Sequence, residues 1–122
     1  MTKSILRDKS FAFALKILQL GDYLDGLRAY ALRDQIVRSG TSIGANIREG
    51  RNAQGPRDMA HKFSIALKAA DETEYWLDLL CASGKIARQD YEALVAELNE
   101  LISMLISSVK TLKVKLNETK DE

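Results

Sequence analysis

Apolar residues recur at alternating steps of three and four along most of the chain, which is the spacing of one face of a helix. The first such stripe consists of Phe13, Ile17, Leu20, Leu24 and Leu27. Ser4 or Ser10 can cap the start of this helix, and the pair Asp25-Gly26 can end it. The pattern therefore predicts a first helix over roughly the first quarter of the chain.

A second helix is predicted from about residue 29 to Gly50, although its middle is rich in poor helix formers. The run 39–44 reads Ser-Gly-Thr-Ser-Ile-Gly, and propensity alone favours a loop there. One helical face nevertheless continues through it, at Ile36, Gly40, Ile43 and Ile47. Gly40 and Gly44, four residues apart, would let another backbone approach closely. We therefore predict one continuous helix.

A third helix is predicted to begin at Pro56, after a linker over residues 52–55. Proline is favoured at the first helical position, and Asp58 suits the positive end of the helix dipole. The seam of this helix comprises Met59, Phe63, Ala66, Ala70, Thr73, Leu77 and Leu80. Ser83-Gly84 is predicted to end it.

A fourth helix is predicted to follow Lys85 and Ile86. Its main apolar stripe contains Tyr91, Leu94, Leu98, Leu101, Leu105 and Leu112. A second stripe beside it contains Val95, Ile102, Ile106 and Val109. Residues 117–122 are polar, and we expect them to fray.

Four helices joined by short links predict an all-α, antiparallel up-down-up-down four-helix bundle. It forms one domain, residues 1–116, followed by a frayed polar tail over residues 117–122. The fourth helix is apolar over more of its circumference than two neighbouring helices can cover, and Tyr75 and Trp76 add large rings. This width predicts burial against a second copy of the chain. The alternative is that these residues only thicken the core of one protomer.

Composition is consistent with a single core in a reducing compartment. The chain has 122 residues, of which 46% are apolar and 29% charged, so it needs no metal or disulfide to fold. One cysteine, Cys81, cannot form an intramolecular bridge. No apolar run is long enough for a signal peptide or a membrane span. We therefore expect a cytoplasmic protein without membrane contact.

Charge is balanced overall but not along the chain. The net charge is +1, yet residues 1–61 hold ten Lys and Arg against six acidic residues, whereas residues 62–122 hold eight against eleven. Two interpretations stay open. The cations can form a surface for nucleic acid, or they can pair with the acidic half inside the bundle.

The arginines of the second helix define a candidate nucleic-acid-binding surface. At 100° per residue, Arg33, Arg48 and Arg51 fall within about 60° of one another, while Arg38 points away from the core. Arg57 and Lys62 follow at the start of the third helix. Because aromatic residues are not interleaved with these cations, we expect them to recognise charge and shape rather than base sequence.

The sequence offers no catalytic or metal site. Its one histidine, His61, and its one cysteine, Cys81, lie about 30 Å apart on one predicted helix, so they cannot share an ion within one protomer. The glycines lack the lysine that follows a phosphate-binding loop, and no strand-turn-helix elbow presents a serine. We expect no metal, no cofactor and no enzymatic activity.

Polar residues near the predicted helix contacts suggest a structural role. Thr73, in the seam of the third helix, could form a buried polar layer with Thr41, Ser42 and Asn46 of the second. Glu74, beside that seam, could pair with an arginine of the second helix. Such groups most simply fix the register of the helices.

Two runs, residues 35–50 and residues 68–80, resemble the signature segments of the four-helix-bundle proteins named after intervening sequences in bacterial 23S ribosomal RNA genes. Residues 9–13, Lys-Ser-Phe-Ala-Phe, are similar to the opening of that family. The resemblance extends from about Ile5 to Lys115. The positions of the two runs that match the family pattern are Arg38, Ser39, Ser42, Asn46, Glu49, Glu74 and Leu77. The resemblance implies packing and polar satisfaction between helices for these residues.

The resemblance also implies a bundle that assembles as a homopentamer. Similar bundles include the accessory variability determinant of diversity-generating retroelements, a basic pentamer thought to bind nucleic acid and to partner a reverse transcriptase. The present chain departs from those proteins in being nearly neutral. It also has Ala87 where a serine or threonine would cap the fourth helix, so we expect that helix to start frayed or with another cap.

Two hypotheses of function follow. The first is a non-enzymatic homo-oligomer, by resemblance a pentamer, whose arginine-rich face binds RNA or DNA weakly and without sequence preference. The second is a scaffold for a protein partner, for example a reverse transcriptase, without nucleic-acid binding of its own. In that case salt bridges between subunits would engage the arginines, with acidic partners such as Glu72, Asp78, Glu97 or Glu100.

Overall fold

The structure, a computed structural model, describes residues 4–120 and contains four α-helices in that range. Helix α1 spans Ile5–Gly26, α2 spans Tyr30–Arg51, α3 spans Pro56–Ala82 and α4 spans Arg88–Lys120. The links between them are short, so consecutive helices run antiparallel. The chain is an up-down four-helix bundle, as its apolar periodicity predicted.

The four helices do not pack equally. Helix α2 packs extensively on both α1 and α3, and α3 packs on α4, whereas α1 and α4 meet over a much smaller contact. The backbones of helices α1 and α3 do not approach each other closely, and the two helices stand at opposite corners of the bundle. Ion pairs of Lys9 with Glu100 and of Lys16 with Glu97 bridge the thin α1–α4 contact.

The start of each helix follows the local sequence. The Ser4 hydroxyl accepts a hydrogen bond from the backbone N–H of Arg7 at 3.0 Å, so Ser4 and not Ser10 caps α1. Pro56 is the first residue of α3, as predicted. Helix α4 begins directly after Ala87, whose carbonyl accepts from the backbone N–H of Tyr91. Ala87 has no side chain with which to cap this helix.

Two helices end in the same backbone motif with different residues. After α3, Gly84 adopts a φ of +75° and its N–H donates to Cys81, while the next N–H donates to Leu80. After α1, Arg28 adopts a φ of +60° with the equivalent pair of hydrogen bonds. This Schellman motif favours glycine. The exit from α1 therefore turns at Arg28, two residues beyond Gly26.

The middle of α2 is helical throughout, which confirms the prediction for residues 39–44. A Cβ atom placed on Gly40 would lie 2.8 Å from both Cγ atoms of Ile17. A Cβ atom placed on Gly50 would likewise lie 2.7 Å from two ring carbons of Phe63. The missing side chains let α1 and α3 approach α2 more closely than any other residue would allow. Tertiary packing outweighs the low helix propensity of this run.

The core lies between the facing stripes of the four helices. Its largest completely or almost completely buried apolar side chains are those of Phe13, Ile17, Leu24, Ile36, Ile43, Ile47, Phe63, Leu77, Leu80, Leu98, Leu101 and Leu105. Val95 and Ile102 of the second α4 stripe pack against this core, and Val109 is buried. Most residues of that stripe therefore thicken the core of one protomer, which is the alternative interpretation given above.

The larger exposed apolar face belongs to α1 instead. Phe11, Leu15 and Leu18 are 56%, 49% and 46% exposed, and at 100° per residue they lie within about 60° of one another. On α4, Ile106 and Val114 stand exposed without forming such a stripe. Most of the wide apolar face of α4 that was predicted to pack against a second copy is therefore covered by α3 and the core within one protomer.

Helix α4 also extends further than predicted. It continues through Lys120, so residues 117–120 are helical rather than a frayed tail, and residues 121–122 lie outside the described residues. A Lys- and Glu-containing end without glycine or proline offers nothing to stop the helix. None of the described helices is long and apolar enough to cross a membrane.

Candidate nucleic-acid interface at one end of the bundle

The antiparallel fold separates charge along the bundle axis. A plane through Ile17, Gly40, Thr73 and Glu97 divides the bundle into two ends. The end formed by residues 4–16, 41–72 and 98–118 holds eleven Lys and Arg against seven acidic residues. The other end, residues 17–40 and 73–97, holds five against eight. We call the first of these the basic end.

Three of the six predicted cations lie exposed at the basic end. Arg48 and Arg51 occupy the last turn of α2, and Arg57 the first turn of α3. Among residues 4–120, no carboxylate forms an ion pair with any of them. Their guanidinium groups are therefore available to an anion from outside the protomer.

The other three predicted cations are engaged within the protomer. Arg33 pairs with Asp34 and Asp25 and lies 5.1 Å from the centre of the Tyr30 ring. Its hydrogen bond to Asp34, together with the one to Asp25, raises the pKa of the guanidinium. Because Arg33 precedes Arg48 by fifteen residues of α2, the two share a side of the helix but occupy opposite ends of the bundle.

Arg38 and Lys62 also have carboxylate partners. Arg38 pairs with Glu72 of α3 and donates a second hydrogen bond to Gln35. Lys62 lies 3.3 Å from a carboxylate oxygen of Glu49. The candidate surface is therefore reduced to the unpaired arginines at the basic end.

One further cation beside this surface was not predicted from the sequence. Arg7, in the first turns of α1, lines a groove of about 310 Å³ with Asp8, Phe11 and Arg48. The α1 residue and the α2 residue are 41 positions apart, and only the antiparallel packing of the two helices brings them together. No local spacing in the sequence could have indicated this pair.

The polar layer between α2 and α3 differs from the prediction. Thr73 is completely buried, but its hydroxyl meets Ser39 at 3.0 Å rather than Thr41 or Asn46. The Thr41 hydroxyl donates to the carbonyl of Val37 within its own helix. The half-buried Thr41 lines a groove with Ser10 and Phe11 of α1, so it lies on the α1 side of α2 and not beside Thr73.

Two other predicted polar residues bond within α2 as well. The amide of Asn46 donates to the backbone carbonyl of Ser42 at 2.9 Å and lies 3.1 Å from its hydroxyl. Such bonds back to the preceding turn satisfy both side chains locally. The structural role that the family resemblance implies for these positions stays a prediction.

Glu74 does not make the predicted pair with an arginine of α2. The carboxylate that meets α2 is Glu72, which also accepts a hydrogen bond from the indole N–H of Trp76 at 3.3 Å. Glu74, two residues later, lies about 200° further around α3 and contributes to the electrostatic environment of Tyr91 on α4. The buried face of α3 was predicted correctly, but the acidic residue that meets α2 is Glu72 and not Glu74.

A second interhelical hydrogen bond links α3 to α4. The Tyr91 hydroxyl donates to the carboxylate of Asp78 at 2.6 Å. This bond, aided by burial and by the negative charge of Asp78, raises the pKa of Tyr91. Elsewhere, no three His, Cys, Asp or Glu side chains among the described residues are grouped so as to hold a metal ion.

The fold and the surface together define a class of protein, a small up-down helical bundle with one basic end. The chain belongs to the 23S rRNA-intervening sequence protein family, whose model matches residues 2–107. It is also similar to a protein with unknown function from the S23 ribosomal protein family of Bacteroides thetaiotaomicron, known from a crystal structure at 1.70 Å resolution.

The two structures superpose with a TM-score of 0.85 at 45% sequence identity, over 87% of this chain and 99% of the other. No curated protein matches the chain. The family match confirms the resemblance that residues 35–50 and 68–80 carry, and the structural match confirms the four-helix fold.

Proposed function

We propose that the protein is a non-enzymatic homo-oligomer that binds RNA or DNA weakly and without sequence preference through the basic end of the bundle. The observation that supports this is the separation of charge along the axis, with Arg48, Arg51 and Arg57 exposed and free of ion pairs within residues 4–120. Arginine without an acidic partner is suited to phosphate.

Assembly would strengthen this interaction. If copies associate with their basic ends on the same side, as in the homopentamer that the family resemblance implies, the same arginines recur around the axis. Each repeat adds contacts to one phosphate backbone, so the affinity of the assembly exceeds that of a protomer. The net charge of only +1 keeps the expected affinity low.

A salt titration tests nucleic-acid binding. We expect the affinity for a generic RNA duplex to fall steeply between 50 and 200 mM salt, because released counterions drive such binding. Arg51→Glu should weaken binding and reduce the slope against log salt by about one. The matched control is Arg88→Glu, the same charge reversal at the acidic end, where Arg88 lies beside Glu92. Equal effects of the two reversals, or no binding at low salt, would refute the role of the basic end.

A second candidate function is a scaffold for a protein partner. It is favoured by the engagement of Arg33, Arg38 and Lys62 in ion pairs inside the protomer. These ion pairs form within one protomer, whereas the hypothesis from the sequence placed such pairs between subunits. A reverse transcriptase is one partner of this kind, and the absence of nucleic-acid binding in the salt titration would favour this function.

A further inference from the structure

An exposed aromatic ring lies beside two unpaired arginines at the basic end of the bundle. Phe11 is 56% exposed, and Arg7, one helical turn before it, lies on the same face of α1. Together with Asp8 and with Arg48 of α2, they line the groove of about 310 Å³. Neither arginine forms an ion pair among the described residues. Along the sequence no aromatic residue alternates with the cations, but the packing of α1 on α2 brings one beside them.

The same ring and the same two arginines also border a second groove, of about 340 Å³, between α1 and α2. This volume lies within the range of small-ligand clefts, about 300–1,000 Å³. Most of the other residues that line it are small: Ser10, Ala14, Thr41, Gly44 and Ala45. Glu49 reaches the groove too, but its carboxylate lies 3.3 Å from the ammonium group of Lys62. A flat ring can therefore lie against Phe11 over small side chains.

The charge of this surface suits a phosphodiester strand. Arg7 and Arg48 supply two positive charges, and Asp8, in the first turn of α1, supplies one negative charge. The Asp8 carboxylate favours the positive end of the helix dipole, and a net positive charge remains in the groove. Guanidinium groups bind phosphate oxygens, and aromatic rings stack on bases. Only a single strand offers both partners, because neighbouring bases already cover each base inside a duplex.

We propose that these grooves bind a nucleotide unit of single-stranded RNA or DNA, with its base stacked on Phe11 and its flanking phosphates on Arg7 and Arg48. This inference rests on the nucleic-acid binding of the proposed function and names the form of nucleic acid that the site recognises. Every base has a face on which a ring can stack. The site therefore adds affinity without adding sequence preference.

A strand without bases tests the stacking. An oligothymidylate of about twelve nucleotides is compared with an abasic strand of equal length, which keeps the phosphates and lacks the bases. We expect the abasic strand to bind about five-fold or more weakly. Phe11→Leu should weaken oligothymidylate binding by a similar factor without changing its salt dependence, and should leave the binding of the abasic strand and of a duplex unchanged. The matched control is Tyr75→Leu, which removes an equally exposed ring at the acidic end and should change none of these affinities.

The arginines and the assembly are tested separately. Arg48→Gln should reduce the slope of log affinity against log salt by about 0.7, the value for one phosphate of a single strand. Phe11→Leu changes an exposed side chain, so it should fold and keep the wild-type mass, which circular dichroism and light scattering verify. A lower mass would place Phe11 between copies of the chain and overturn its role in stacking.

The remaining outcomes separate this site from the proposed function. If the abasic strand and oligothymidylate bind equally, the groove recognises charge alone, as it would in an acidic peptide, and the stacking site is wrong while nucleic-acid binding stands. If neither strand nor a duplex binds at low salt, both the proposed function and this site are wrong.

Discussion

The hydroxyl groups of Ser39 and Thr73 meet at 3.0 Å in the core of the bundle, where both residues are completely buried. Each hydroxyl also lies near a carbonyl of its own helix, that of Ile36 for Ser39 and that of Ala69 for Thr73. The pair joins α2 to α3 at the level where Gly40 brings α1 against α2. No buried side-chain polar atom of the described residues lacks a hydrogen-bond partner.

Replacing Thr73 by valine keeps the shape of the side chain and removes the interhelical hydrogen bond. We expect Thr73→Val to lower the free energy of unfolding by about 1 kcal/mol, because Ser39 can still donate to its own helix. A urea denaturation cycle with Ser39→Ala and the double variant measures the coupling between the two hydroxyls. Additive effects of the two substitutions would show that the bond contributes nothing.

An alanine at Gly40 should destabilise the bundle even though alanine favours helices. The added Cβ would lie 2.8 Å from two carbons of Ile17, and overpacking of this kind costs about 1–3 kcal/mol against a propensity gain of about 1 kcal/mol. The control is Gly26→Ala in α1, where no atom lies within 4 Å, and it should be neutral or stabilising. A Gly40→Ala protein as stable in urea as the wild type would contradict close α1–α2 packing.

Arg28 should be replaceable by glycine with a gain in stability. Its φ of +60° costs an L-residue about 1–2 kcal/mol, partly offset by the greater backbone entropy that glycine loses on folding. We expect Arg28→Gly to raise the free energy of unfolding by about 0.5–1 kcal/mol. Gly84→Ala makes the reverse change in the same motif after α3 and should lower it. If the wild type, Arg28→Gly and Gly84→Ala are equally stable, Arg28 and Gly84 do not adopt left-handed conformations.

The Tyr91–Asp78 hydrogen bond should make stability depend on alkaline pH. Because the folded state raises the pKa of Tyr91, the stabilisation is complete below the ordinary tyrosine pKa of about 10 and is lost as the pH rises through the higher folded value. We expect Tyr91→Phe to be less stable than the wild type at pH 8, with the difference shrinking above pH 10. The control is Tyr23→Phe, which removes an exposed phenol hydroxyl and leaves the Tyr91–Asp78 hydrogen bond in place.

The helices were predictable from the sequence because each signal is local. The stripe from Met59 to Leu80 fixes the inner face of α3, and Pro56 fixes its start. The continuous course of α2 through residues 39–44 is predicted only by a longer pattern, in which Gly40 shares one helical face with Ile36 and Ile43. Arg28 escaped prediction because nothing in its side chain favours a positive φ, and only the chain reversal between α1 and α2 imposes it.

The candidate site was less predictable because it depends on which residues become neighbours. Helical spacing placed Arg33 and Arg48 on one side of α2, but the carboxylates that engage Arg33 are supplied in part by α1. Glu72 and Glu74 lie about 200° apart around α3. Which of them meets Arg38 therefore depends on how α3 is rotated about its axis in the bundle. Pairings between helices follow from the packed bundle and not from the spacing along any one of them.

Separated ends of opposite sign give each protomer a permanent electric dipole moment along its long axis. The field of a polyanion would exert a torque on this dipole before any contact forms. The protomer would therefore tend to approach a polyanion with its basic end first. Under the proposed nucleic-acid binding, we therefore expect Arg51→Glu to slow association with an RNA duplex as well as to weaken the complex.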